Sequence, residues 1–206
     1  MTQVEIYNLA LVRIKEPTVQ ATDEATHQAE TLTVLWPTLI EKMLRRHHWH
    51  FARRNVQLAE HADDPPEGWT FRYALPTDLV RVRRTYVEQV TGSSLNFDMP
   101  TTSQALPYTL QPDNAATSMT MLSMFDDLFL EYTFRTVAPL LWPVDFCDAL
   151  AWHLAMESVV NLTGRADLVE YCQKGYVAAM SAAITHNANS IQNGPVAAAE
   201  SIKARW

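Results

Sequence analysis

Three imidazoles within four positions, His47-His48-Trp49-His50, are the densest set of metal-ligating side chains in the sequence. His47 and His50 would share a helix face and offer two ligands to zinc. A third ligand would have to come from elsewhere, and no cysteine lies near in sequence. The competing role is structural: histidines and the neighbouring Arg45 and Arg46 at a helix end complement the negative pole of the dipole. That second role is the expected one. Asp63-Asp64 and Asp126-Asp127 are the candidate carboxylate pairs for acid–base work. Adjacent residues in turns aim their side chains apart and stay solvated, so both pairs read as turn chemistry. Cys147 and His153 fit a nucleophile–base arrangement no better than chance. Neither GxGxxG, a Walker loop, GxSxG nor HExxH occurs, and five glycines in 206 residues leave little from which to build a phosphate cradle. The expectation is a protein that is not an enzyme and uses no metal or cofactor.

The charged residues are distributed unevenly. The formal charge is −7, which argues against indiscriminate binding to nucleic acids or acidic membranes. Yet residues 45–84 carry eight arginines, no lysine and five carboxylates. Trp49, Phe51, Trp69, Phe71 and Tyr73 interleave with them and could stack on bases. No RNP-like or helix-turn-helix pattern accompanies them, so sequence-specific DNA binding is not expected. An arginine strip in an acidic protein suits a docking surface or a pore wall. Arg53, Arg54, Arg83 and Arg84 are the candidate lumen or interface residues.

The elements that would carry these residues follow from periodicity. Residues 4–14 read as a short helix closed by Glu16-Pro17. A second helix is capped by Thr22, carries Asp23 and Glu24 at its positive end, and buries Ala25, Ala29, Leu32, Trp36, Leu39, Ile40, Met43 and Leu44, with a kink at Pro37. Residues 51–58 and 79–87 alternate like strands. Residues 63–68 form a turn, and 91–117 read as a polar projecting loop with room for short strands. Residues 119–122 and 128–134 would form a hairpin around 123–127. Trp142-Pro143 opens a helix ended by Gly164, and a last helix runs from about Leu168 to Asn187. Its small-residue face (Gly175, Ala179, Ala182) would admit a close neighbour. The class is α+β and mainly helical: a bundle of about four helices (1–48 and 138–192), a β-rich insertion (49–137) and a tail (193–206). Hydrophobic residues make up 48 %, enough for a real core. The two cysteines read as free buried thiols. The N-terminus has no signal-peptide pattern and no apolar run is long enough to span a bilayer, so a cytoplasm-like setting and no membrane partner are expected.

One stretch goes beyond general rules. Trp49-His50-Phe51-Ala52-Arg53-Arg54 is followed by Leu58-Ala59 and Pro65-Pro66. Then come Gly68-Trp69 and Tyr73-Ala74-Leu75-Pro76-Thr77-Asp78-Leu79-Val80-Arg81-Val82. This ordered series resembles the tail tubular protein A family, the head-to-tail adaptors of short-tailed bacteriophages. The order of elements over residues 4–192 is similar too. The resemblance implies a virion protein, assembled in the host cytoplasm as a dodecameric ring. One face would bind the portal protein and the other the tail nozzle, a tail tubular protein B-like partner, with DNA passing through the lumen as cargo. The motif residues Trp49, Phe51, Ala52, Arg53, Trp69, Tyr73, Leu75, Pro76, Asp78 and Arg81 would hold the fold together. Gly175, Ala179, Ala182, Ile202, Arg205 and Trp206 become candidate portal or subunit contacts, and residues 194–206 a docking arm. The rival classes are a phage cell-wall hydrolase and a DNA-binding accessory protein.

Overall fold

Helix α1, Gln3–Arg13, begins with a reciprocal cap: Thr2 Oγ1 accepts from the Glu5 amide, and the Glu5 carboxylate accepts from the Thr2 amide. The computed structural model describes residues 1–87 and 106–190. Helix α2 spans His27–Arg46, with Pro37 inside a single continuous helix. It starts later than the sequence suggests. Thr26, not Thr22, supplies the cap, its Oγ1 accepting from the Ala29 amide at 3.3 Å. Glu24 is diverted to the Gln20 amide at 2.7 Å, so 20–26 is a loop ordered by its own side chains.

The chain divides into two units, Met1–Thr33 together with the chain from Trp142 onward, and Val34–Leu141. The first boundary falls within α2 rather than after residue 48. The reason is local: the last turns of α2 are bonded to the strands that follow, as described below.

In the first unit, α3 (Val144–Thr163) and α4 (Asp167–Asn189) join α1 and the start of α2. Pro143 is the N-cap of α3 rather than its first residue, and Gly164 ends it with φ +66°, a left-handed conformation suited to glycine. Phe146, Cys147, Ala149, Leu150, Ala151, His153, Leu154 and Ala155 of α3 are all buried. A helix that is apolar on nearly every side is one surrounded by others. From α1, Ile6, Tyr7, Ala10 and Leu11 are buried, and from α4, Cys172, Tyr176, Met180 and Ala183.

Among the described residues the second unit holds two three-stranded antiparallel sheets. One has the order β1 (Arg53–Gln57), β6 (Leu128–Phe134), β3 (Leu79–Val87). The other runs β2 (Phe71–Ala74), β5 (Met119–Ser123), β4 (Thr109–Pro112). Leu58, Tyr73, Met121, Leu128, Leu130 and Tyr132 form one buried core fed by both sheets. The architecture is mixed α+β. β5 and β6 do not pair with each other as a hairpin; β5 pairs with β2 and β4, β6 with β1 and β3. The linking turn, with Asp127 at φ +48°, carries the chain from one sheet to the other. Tyr73 fastens it by donating to the Phe125 carbonyl at 2.8 Å. The Phe51-Ala52 end of the first expected strand is instead a 3-10 turn, His50–Ala52. Residues 109–112, within the expected polar loop, are a strand.

Candidate functional site

Two arginines of the strip, Arg81 and Arg83, reach onto the end of α2. A helix leaves its last carbonyls without partners. Here Trp49 Nε1 donates to the Met43 carbonyl at 2.8 Å, and Arg81 Nη1 to the Arg45 carbonyl at 2.6 Å. Arg83 reaches further. Its Nη2 donates to the carbonyls of Leu44 (3.2 Å) and His47, and its Nε to the Thr133 hydroxyl on β6. Arg83 is thus a clamp between α2 and the sheet. Burial, and then the nearby Arg81, lower its guanidinium pKa to about 10.

The histidines flank this clamp. The His47 ring meets Trp49 edge-on at 5.0 Å. Burial first, then the positive charge of Arg83, lowers the pKa of His47; the same causes, joined by Arg81, lower that of His48. The dipole end that would favour protonated histidine is already taken by arginine. Among the described residues, no three His, Cys, Asp or Glu side chains come together in a metal-holding group.

Arg53, Arg54 and Arg84 are paired on the sheet. Arg54 binds Asp78 at 2.7 Å and lies over the Phe134 ring. Arg53 and Arg84 both face Glu131, at 3.7 and 3.3 Å. Asp78 does not close its own turn, where the Leu79 amide bonds Pro76 instead. Its carboxylate spans the sheet, accepting from Arg54 and from the Tyr132 hydroxyl at 3.0 Å, while its carbonyl accepts from the Arg135 amide. Ala52 is fully buried, Phe51 and Trp69 are half-buried, and Leu75 packs against the shared core. Trp69 follows Gly68, whose φ of +91° makes the turn after Pro65-Pro66.

One network escapes sequence reasoning. Arg72 is buried, and its Nη1 donates to Asn114 Oδ1 at 3.2 Å and faces Asp63 at 3.4 Å. Asp63 also accepts from the Asn114 amide at 2.9 Å. The residue expected to be a solvated turn carboxylate therefore joins two loops through a buried cation. Beside it, Asp113 accepts from the amides and hydroxyls of both Thr117 and Ser118, bonds that lower its carboxyl to about 2. Nothing in the spacing of Asp63, Arg72 and Asn114 announces the contact, because it depends on which strands become neighbours.

On α4, Gly175 faces inward. A Cβ there would lie 2.5 Å from the Trp152 ring of α3, so this position serves the packing of the two helices. Ala179 is half-buried and Ala182 exposed. Ile202, Arg205 and Trp206 lie outside the described residues, as do the 193–206 tail and residues 91–105 of the expected loop. A cleft of about 220 Å³ opens beside Trp36, Pro37, Ile40, Glu41, Arg135 and Val137. Its charged lining is already engaged, since Glu41 binds both Arg45 and Arg135. Cys147 and Cys172 are free and buried, and burial raises the Cys147 thiol to about 11, far from a reactive thiolate. No helix is long and apolar enough to cross a membrane among the described residues.

No family model matches the chain, and no curated protein matches it either.

Proposed function

We propose that this chain is a structural, non-enzymatic head-to-tail adaptor of a short-tailed phage virion. It forms a ring between the portal protein and the tail nozzle, with DNA passing through the lumen. In this reading the helices form a bundle interrupted by the β-rich insertion. The observation that carries it is the ordered series from Trp49 to Val82. Its members hold α2 to the sheet: Trp49 and Arg81 take the last carbonyls of the helix, and Asp78 ties Arg54 to Tyr132. The division of the chain also favours it, because one helical unit is built from segments that flank the strand-rich unit in sequence. Electron microscopy of the purified chain, alone and mixed with rings of the cognate portal, is the test. Closed rings, alone or on the portal, are expected. A protein that ignores the portal and hydrolyses cell-wall polymer would overturn the adaptor reading.

A further inference from the structure

Every open sheet is a template for another strand, so the fate of each sheet edge bears on assembly. Among the described residues the unit Val34–Leu141 has four sheet edges. Two are met by the chain itself. Residues 59–61 run beside β2, with the His61 amide on the Arg72 carbonyl (2.7 Å) and the Ala74 amide on the Ala59 carbonyl (2.9 Å). Leu106 meets β3, its amide on the Thr85 carbonyl at 3.2 Å. Among the described residues the other two edges, β1 and β4, meet no strand, and every residue of both is exposed.

The registers say which groups those edges offer. The Leu58 amide bonds the Leu128 carbonyl, which extends the β1–β6 ladder. Hydrogen-bonded pairs alternate, so Leu58, Val56 and Arg54 point their amides inward and Gln57 and Asn55 point theirs outward, while the Arg53 amide is taken by the His50 carbonyl of the preceding 3-10 turn. On β4, the Asp113 amide bonds the Ser118 carbonyl, so Gln111 and Thr109 point inward and Pro112, Leu110 and Tyr108 outward. Pro112 thus stands where a missing N–H costs the molecule's own ladder nothing.

We infer that β1 of one copy adds antiparallel to β4 of the next, joining the two sheets head to tail. This rests on the ring reading above and names its subunit contact. Closure selects the pairing. Two β1 strands side by side would make an isologous contact that joins two copies and stops there. Two β4 strands would bring together two edges that each lack an outward N–H at Pro112. The uncharged Thr109–Pro112 against Arg53–Gln57 meets neither obstacle. With Asn55 opposite Leu110, Gln57 falls opposite Tyr108 and Arg53 opposite Pro112. The amides and carbonyls of Asn55, Gln57, Leu110 and Tyr108 are then all paired, and the Arg53 and Pro112 carbonyls are left at the end of the ladder. Two different edges of one unit make a contact that propagates and can close a ring.

Cysteine crosslinking tests it, because directly opposed residues lie within disulfide reach. Asn55→Cys and Leu110→Cys replace exposed side chains, and the native Cys147 and Cys172 are buried. Mixed under mild oxidation, the two single variants are expected to give heterodimers without homodimers. The double variant is expected to give a ladder of larger species that reduction collapses. Asn55→Pro, at an outward amide, should stay folded by circular dichroism and abolish crosslinking from position 57 to position 108. Rings seen by microscopy without the heterodimer would overturn the edge pairing and leave the adaptor reading intact. Heterodimers without rings would keep the edge pairing and remove the ring. Homodimers of Asn55→Cys, or neither rings nor crosslinks, would overturn the pairing.

Discussion

The indole of Trp152 lies directly over Gly175, where a Cβ would stand 2.5 Å from its Cε3 atom. The ring is held from other sides too: Tyr171 meets it edge-on at 5.5 Å, and the Arg13 guanidinium lies over it at 4.2 Å. Gly175→Ala gains helix propensity worth about 1 kcal/mol. It also displaces a ring packed against Tyr171 and Arg13, and overpacking of this kind costs about 1–3 kcal/mol. A net loss on the order of 1 kcal/mol is expected in urea unfolding, whereas the exposed Ala182→Ser should leave the midpoint almost unchanged.

Arg83→Lys should fail to rescue Arg83→Ala. Arg83 places three donated bonds on two elements, and an ammonium lacks the fork that reaches the Leu44 and His47 carbonyls together with Thr133. Leaving those acceptors unpaired is expected to cost about 2–4 kcal/mol. Hydrogen exchange should show faster amides in the last turn of α2, with α4 unaffected.

Asp113 should dominate the acid response of the β4–β5 hairpin. Its carboxyl, lowered from 3.8 to about 2 by the Thr117 and Ser118 hydroxyls and their amides, contributes stability above its unfolded value. That contribution fades as the pH falls from 3.8 through about 2. Amide shifts of Thr117 and Ser118 followed by NMR should titrate in that window. Asp113→Asn should abolish the transition and loosen the hairpin at neutral pH.

The helices were the readable part of this chain. The apolar spacing of α3 and α4 and the glycine after Thr163 are local signals, and local geometry obeys them. Thr22 and Thr26 offer the same cap chemistry, and the choice between them turns on where Glu24 and Thr22 find other partners: the Thr22 carbonyl takes the Thr33 hydroxyl. The sheets were less readable. Residues 119–122 and 128–134 look like strands in sequence, but alternation does not name a partner, and each joins a different sheet. The arginine strip was visible as a composition and not as a destination. Arg83 finds its carbonyls 36 and 39 residues back along the chain.

His47 and His48 should titrate below the ordinary 6.5, because protonation adds charge beside Arg83 and Arg81 in a partly buried site. With the folded-state pKa lowered, they contribute stability above pH 6.5 that is lost as the pH falls through their folded values. Imidazole proton shifts should report both midpoints. His47→Asn with His48→Asn should flatten the mildly acidic limb of the stability profile.

Arg13 and Asp148 are bonded across 135 residues, and this sets the order in which the molecule can be made. Helix α1 leaves the ribosome well before α3, with Ile6, Tyr7, Ala10 and Leu11 ready to be covered and α3 not yet synthesised. At roughly 5–20 residues per second the delay is on the order of ten seconds. The strand-rich unit is complete before Trp142 emerges, so the middle of the protein can fold while its beginning waits. During that interval the apolar face of α1 is open to chaperones and proteases.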